Sequence, residues 1–89
     1  MPRIVFAPAI QRHVAVAAQD IAAGTVREAL DAAFAVEPRL RGYILDDQRR
    51  LRAHLAIFVD GVAVRDRAGL TDMVPAGSEV YVVQALSGG

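Results

Sequence analysis

The fold is decided by residues 55–64, which read Leu-Ala-Ile-Phe-Val-Asp-Gly-Val-Ala-Val. Apolar residues that favour pleated sheet fill residues 55–59 and predict a strand. The Asp60-Gly61 pair that follows is typical of a two-residue turn between antiparallel strands. The stretch therefore predicts a β-hairpin whose second strand covers residues 62–64.

A helix is predicted upstream of this hairpin. Thr25 and Glu28 form a capping box, in which the Thr25 hydroxyl accepts from the Glu28 amide while the Glu28 carboxylate reaches back. Apolar residues then recur at helical spacing and form one stripe, namely Val26, Ala29, Leu30, Ala33 and Phe34. Pro38 is expected to end the helix at about Val36 or Glu37.

Shorter patterns predict the remaining elements. Strands are expected at residues 3–7, 13–18, 43–45 and 79–85. Turns are expected at residues 8–12, 46–50 and 75–78, and one helical turn at residues 70–74. Residues 86–89 follow the last strand and have no pairing pattern, so we expect a flexible tail after a single domain of residues 1–85.

The order of these elements indicates an α+β fold. A helix with one apolar stripe is buried against one face of a sheet, which gives two layers. We expect the first and last strands to lie side by side and parallel at the centre. This is the β-grasp (ubiquitin-like) arrangement, with a mixed sheet of about four to five strands packed on one helix.

Composition excludes several classes of function. The chain has 89 residues, no cysteine and a formal net charge of zero. These values predict one domain without a disulfide, thiolate or metal–cysteine site, and without a basic surface for nucleic acid. There is no apolar run near the roughly 20 residues of a membrane span and no signal-peptide pattern, so we expect a cytoplasmic protein that does not bind membranes.

All ten basic residues are arginine, and lysine is absent. Drift in a GC-rich genome produces this bias and also fits the abundance of alanine. A functional interpretation is that an activated C-terminus would find no lysine amine on its own chain. The two interpretations are compatible.

Residues in the second half of the chain carry a resemblance to a known family. They are Ile57-Phe58-Val59-Asp60-Gly61-Val62, Gly69-Leu70-Thr71-Asp72, Pro75-Ala76-Gly77-Ser78-Glu79-Val80 and Gln84-Ala85-Leu86-Ser87-Gly88-Gly89. With the β-grasp order and the Gly-Gly end, the chain resembles the MoaD/ThiS family of ubiquitin-like sulfur carriers. In length and in the hairpin, it is more similar to the carriers paired with a cysteine-forming synthase than to the thiamine carriers.

The resemblance implies a function for the tail. In the family, an adenylating (E1-like) enzyme activates the terminal carboxylate with ATP, and a thiocarboxylate then forms on it. Here that group is the carboxylate of Gly89, and the sulfur passes to a partner synthase. Leu86, Ser87 and Gly88 would thread the enzyme's channel, and this chain itself would bind no cofactor and no metal. The pathway stays open among molybdopterin, thiamine, cysteine and specialised thio-metabolites.

A docking surface is predicted from strand alternation. If Ile57 and Val59 face the helix, Phe58 faces the other way, and Tyr81 and Val83 do the same in the last strand. Phe58, Tyr81 and Val83 would form an apolar patch leading to the tail, of the kind that marks interfaces. Two alternatives stay open. The strands have the opposite pleat phase, so that these three residues face the helix, or residues 39–52 cover the patch.

Other polar residues suggest no catalytic centre. His13 and His54 are expected to be structural, and Asp46-Asp47 is expected to shape a turn. Arg39, Arg41, Arg49, Arg50 and Arg52 form a sequence cluster, which we interpret as a solvated hairpin with weak ion pairs. Docking to an acidic rim of the activating enzyme is the alternative.

We therefore expect a carrier, or the non-catalytic small subunit of a synthase, and not an enzyme. Two other functions stay open: a protein modifier conjugated through Gly89, and a non-covalent β-grasp interaction module.

Overall fold

A five-stranded mixed sheet forms one layer of the fold in the computed structural model, which describes residues 1–84. Its strands are β1 (Arg3–Phe6), β2 (Gln19–Asp20), β3 (Leu55–Val59), β4 (Val62–Ala63) and β5 (Glu79–Gln84). Their order across the sheet is β2-β1-β5-β3-β4. The first and last strands are parallel neighbours at the centre, and all other pairs are antiparallel. The predicted β-grasp architecture is confirmed.

Three helices accompany the sheet: α1 (Pro8–Gln11), α2 (Val26–Val36) and α3 (Arg39–Ile44). The predicted capping box opens α2. The Thr25 hydroxyl accepts from the Glu28 amide at 3.2 Å, and Glu28 Oε1 accepts from the Gly24 and Thr25 amides at 2.7 and 3.1 Å. The helix ends at Val36, as predicted from Pro38.

The core lies between α2 and one face of the sheet. Inward side chains of the three central strands are nearly or fully buried, namely Ile4, Phe6, Leu55, Ile57, Val80 and Val82. All five residues of the predicted α2 stripe are buried against them. Full burial of a large aliphatic side chain stabilises the fold by about 1.5–3 kcal/mol, so these residues supply most of the driving force.

The prediction for residues 8–18 was wrong. Pro8–Gln11 is a short helix and not a hairpin turn, with Pro8 in its first turn where a missing N–H costs nothing. The strand that pairs with β1 is Gln19–Asp20 and not residues 13–18. Val14 and Val16 are nevertheless buried. The apolar alternation of Val14 and Val16 therefore reflects burial of a loop and not pairing in a strand.

Two short predictions downstream were also wrong. Residues 43–45 do not form a strand, because Tyr43 and Ile44 belong to α3, which buries Leu40 and Ile44 one helical turn apart. Residues 70–74 do not form a helical turn, because Leu70 adopts a φ of +56°. Met73 instead makes an isolated bridge to Thr25.

The hairpin turn has the geometry that its sequence predicts. Asp60 and Gly61 both have positive φ, at 49° and 83°. A two-residue turn with positive φ at both positions matches the twist of the strands it joins. This turn fixes the register Val59↔Val62, and β3 then pairs with β5 along its whole length.

No helix within residues 1–84 is both long enough and apolar enough to span a membrane.

Candidate functional site

The predicted tail residues Leu86, Ser87, Gly88 and Gly89 lie outside the described residues, as does Ala85. The structure instead shows the strand that leads to them. Gln84, the last residue of β5, pairs with Leu55 of β3. On the other side of β5, the Ala7 amide donates to the Val82 carbonyl at 2.9 Å. The strand before the tail is therefore held on both sides.

An apolar surface covers the sheet face that points away from α2. Phe58 and Tyr81 are direct cross-strand partners, and both are half-buried. Val83 is also half-buried and pairs with Ala56. The predicted pleat phase is correct, because Ile57, Val80 and Val82 point into the core from the same strands. Each inward residue alternates with an outward one, so the outward residues share one face.

Two residues of this surface were missing from the prediction. Val5 pairs with Tyr81 across the parallel β1–β5 ladder, and Ala56 pairs with Val83; both are half-buried. Val5 belongs to this face because burial alternates along residues 3–6 of the folded chain, exposed-buried-half-buried-buried, whereas the sequence shows only an apolar run there. We call Val5, Ala56, Phe58, Tyr81 and Val83 the outer face.

Residues 39–52 lie on the helix side of the fold. The large aliphatic side chains of this segment enter the core cluster that contains the α2 stripe, namely Leu40, Ile44, Leu45 and Leu51. The alternative in which this segment covers the outer face is therefore not the observed packing.

The arginine-rich part of that segment forms local contacts. Arg39 pairs with Glu37 at 3.0 Å and Arg50 pairs with Asp46 at 3.3 Å, and both arginines are largely exposed. The Arg39 side chain lowers the pKa of the Glu37 carboxyl. Solvent screens such exposed ion pairs and leaves them little effect on stability, so their main effect is on local geometry.

Asp46 shapes the turn, as predicted. Its Oδ1 accepts from the Arg50 amide at 3.0 Å and from the Gln48 amide at 2.8 Å. These backbone donors, Arg50 first, hold the pKa of the Asp46 carboxyl below its usual range. A carboxylate that accepts backbone N–H groups in this way replaces the turn's missing hydrogen bonds.

A second carboxylate network orders residues 65–72. Asp66 accepts from the Thr71 hydroxyl at 2.6 Å and the Gly69 amide at 2.8 Å, and these bonds lower its pKa. Asp72 accepts from the Arg65 and Asp66 amides at 3.0 and 2.9 Å, which lowers its pKa as well. This network explains why the segment forms a tight loop where a helical turn was expected.

Three rings cluster near the end of the sheet from which the tail leaves. Tyr43 stacks on His13 with centroids 5.1 Å apart and meets His54 edge-on at 6.1 Å. His54 precedes Leu55, which pairs with Gln84. The histidines, expected to be structural, therefore pack on a shared ring. Within residues 1–84, no three His, Asp or Glu side chains are grouped in a way that would bind a metal ion.

These features define a ubiquitin-like β-grasp domain, and solved structures show the same fold. A chain of the BexX/CysO complex from Amycolatopsis orientalis matches with a TM-score of 0.82 and 18% identity, over 100% of both chains. SAMP1 from Haloferax volcanii matches with a TM-score of 0.75 and 24% identity, over 99% of this chain and 98% of that one.

The solution structure of the small archaeal modifier protein 1 from Methanosarcina acetivorans matches with a TM-score of 0.78 and 16% identity, over 99% of this chain and 95% of that one. No protein-family model matches the chain, and no curated protein does. At these identities the likeness confirms the resemblance at the level of the fold.

Proposed function

We propose that this chain is a sulfur carrier whose working group is the carboxylate of Gly89. The observation that carries the proposal is the position of β5. This central strand is paired on both sides, and the sequence continues from it through Ala85 and Leu86 into Ser87-Gly88-Gly89. The likeness to the CysO-containing complex supports the same function.

The chemistry proceeds in two substitutions. An oxygen of the Gly89 carboxylate attacks the α-phosphate of ATP on a partner enzyme, and pyrophosphate leaves. Hydrosulfide then attacks the carbonyl carbon, the C–O bond to AMP breaks, the S–H proton passes to solvent, and a thiocarboxylate remains. The proposal locates this reaction in the cytoplasm, because adenylation consumes ATP.

The tail sequence suits this reaction. Five residues beyond Gln84 span at most about 17 Å when extended, enough for the end of the chain to enter an active site while the domain stays outside. Glycine has no Cβ, so the last two residues allow a close approach to ATP and backbone angles closed to other residues. Ser87 is small, and Leu86 would lie at the channel mouth.

The outer face would bind the partners. Phe58, Tyr81 and Val83 lie on the two central antiparallel strands, one of which leads to the tail. Aromatic side chains dominate many protein interfaces because they bury a large area at a low entropic cost. We propose that the adenylating enzyme and the sulfur-accepting synthase use this face in turn.

The test is co-expression with an adenylating enzyme and a sulfur source, followed by intact-mass spectrometry. We expect a mass gain equal to the difference between sulfur and oxygen. Deletion of Gly89 should abolish the gain, and insertion of one alanine after Gln84, which preserves the Gly-Gly end, is the matched control. A Gly88-Gly89 deletion that retains function in cells would contradict the proposal and support a non-covalent module.

A protein modifier is the second candidate, favoured by the likeness to proteins named small archaeal modifiers. In that case Gly89 would form an amide with lysines of other proteins. Immunoblots of a cell lysate would show bands above the free chain that disappear when Gly89 is deleted. A lysate that contains only the free chain would contradict conjugation.

A further inference from the structure

A row of exposed charged residues borders the outer face at the end of the sheet where β5 begins. In order across the sheet, the row consists of Asp20, Arg3, Glu79 and Asp60. The strand register places the first three side by side, and Asp60 Oδ1 accepts from the Glu79 amide at 2.9 Å. Three carboxylates therefore lie beside one guanidinium. We call these four residues the charged row.

The charged row continues the outer face. Arg3 precedes Val5 by two residues in β1. Glu79 precedes Tyr81 by two residues in β5. Residues two apart in a strand point to the same side of the sheet. The next row across this side is apolar, because Val5, Tyr81 and Phe58 are direct neighbours. One surface therefore changes from acidic to apolar within two residues of each strand.

The charge of this row is balanced in part by an internal ion pair. Arg3 lies between Asp20 and Glu79, and its guanidinium pairs with Asp20, with Nε 3.3 Å from Oδ1. The Glu79 carboxylate forms no ion pair or hydrogen bond with any other part of residues 1–84. Asp60 directs one carboxylate oxygen to the backbone of β5. Glu79 therefore presents a negative charge that a second molecule can pair with.

The position of Glu79, and not its lack of contacts, distinguishes it from other exposed carboxylates. Asp31 and Asp47 also form no ion pair within residues 1–84. Asp31 belongs to α2 and Asp47 to the segment 39–52, and both elements pack on the other side of the sheet. A partner that covers Phe58 and Tyr81 would meet Glu79 at the border of its contact surface.

We propose that Glu79 is a specificity-determining residue for docking, and that the adenylating enzyme presents an arginine or a lysine to it. Hydrophobic contact is non-directional, so the apolar part of the outer face allows several orientations of a bound partner. A charge at one end of the surface separates these orientations, because the wrong ones leave the carboxylate without a cation. This inference rests on the proposed function.

The length of β5 gives the proposal a dimension. The strand has six residues, so its ends, Glu79 and Gln84, are about 17 Å apart at the usual rise of a strand. The cation of the enzyme would lie at the Glu79 end, about this distance from the point at which the chain leaves β5. Pairing at Glu79 would therefore direct the Gln84 end of the strand toward the ATP site.

The experiment measures association of the full chain with the adenylating enzyme by surface plasmon resonance, at about 0.05 and about 0.3 M NaCl. ATP is omitted, so binding is measured separately from adenylation and sulfur transfer. Wild type, Glu79→Gln and Glu79→Lys are compared with Asp31→Asn. The last variant is the matched control, because it removes the same charge from an exposed residue on the opposite side of the sheet.

At low salt, we expect Glu79→Gln to associate about threefold or more slowly than wild type, and Glu79→Lys about tenfold or more slowly, because charges at the rim of an interface act mainly on the association rate. Added salt should slow wild type and should slow Glu79→Gln less. Asp31→Asn should behave as wild type at both salt concentrations. Thermal unfolding shows that the variants are folded, and a merely structural role of Glu79 would not change the salt dependence.

Three results would overturn the inference. The first is equal salt dependence of Glu79→Gln and wild type, and the second is equal slowing of Glu79→Gln and Asp31→Asn, which would show that net charge and not position matters. The third is a wild-type chain that does not bind the enzyme. Binding that depends on Glu79 without a mass gain in the sulfur-transfer test would support this inference and contradict the proposed function.

Discussion

Phe58 lies directly opposite Tyr81 across the central antiparallel strands, and both rings point away from the helix. In the same strands, Ile57 lies opposite Val82, and both of these side chains are buried. One pair therefore holds the sheet to α2, while the other is presented on the opposite surface. Substitutions at the two pairs should separate binding from folding.

Phe58→Ser should weaken docking to the adenylating enzyme. Aromatic residues at interface centres commonly cost about 2 kcal/mol or more when truncated, so the KM for the carrier should rise about tenfold or more. Steady-state pyrophosphate release measures this change. Val62→Ser is the matched control, because Val62 is an exposed apolar residue of the neighbouring strand β4. Equal effects of both variants would contradict a role for the outer face.

Thr25→Ala should destabilise the domain. It removes the oxygen that accepts from the Glu28 amide and leaves that donor at the helix start without its partner. Loss of such a cap costs about 1 kcal/mol, which a urea titration resolves as a lower midpoint with an unchanged slope. Thr25→Ser retains the hydroxyl, so it should lose much less stability than Thr25→Ala. If Thr25→Ser were as unstable as Thr25→Ala, the lost methyl group and not the cap would be responsible.

Arg27→Lys should destabilise the fold more than Arg50→Lys. The Arg27 guanidinium bonds three carbonyls of the loops that precede and follow the hairpin, and an ammonium cannot keep that geometry. The expected loss is about 0.5–1.5 kcal/mol, the usual net contribution of a hydrogen bond, because two of the three bonds are exposed to solvent. Arg50 makes an exposed ion pair with Asp46, and its replacement by lysine should leave stability almost unchanged. Equal urea midpoints for the two variants would refute this distinction.

Stability should fall in acid. The pKa values of Asp46, Asp66 and Asp72 are lower in the folded protein than the ordinary 3.8. A carboxyl with a depressed folded pKa contributes stability that is fully present above the unfolded value and is lost as pH falls through the folded one. The free energy of unfolding should therefore decline progressively below about pH 4. Asp66→Asn should flatten this decline, with the exposed Asp47→Asn as control; an unchanged slope in Asp66→Asn would refute the assignment.

Much of the fold was predictable because its strongest signals are local. The capping box at Thr25 and Glu28, the Asp60-Gly61 turn and the alternation in β3 and β5 each depend on residues within a few positions of one another. These signals placed α2, the hairpin and the central strands. The pleat phase of Phe58, Tyr81 and Val83 followed from the same alternation.

The errors came where tertiary contacts override local pattern. Val14 and Val16 alternate like a strand, yet the edge partner of β1 is the polar pair Gln19 and Asp20. Residues 43–45 look extended by composition, whereas the burial of Leu40 and Ile44 selects a helix. A groove lined by Phe6, Pro8, Gln11 and Arg12 was not predictable, because α1 packs against β5 only in the folded chain.

The parallel pairing of β1 with β5 has a consequence for synthesis of the protein. The outer face is assembled from Val5 near one end of the chain, from Phe58, and from Tyr81 and Val83 near the other. Contacts between residues so distant in sequence form late and slowly. A partially synthesised chain therefore lacks the surface that partners would recognise. Under the proposed function, the topology delays partner binding until β5 has been synthesised.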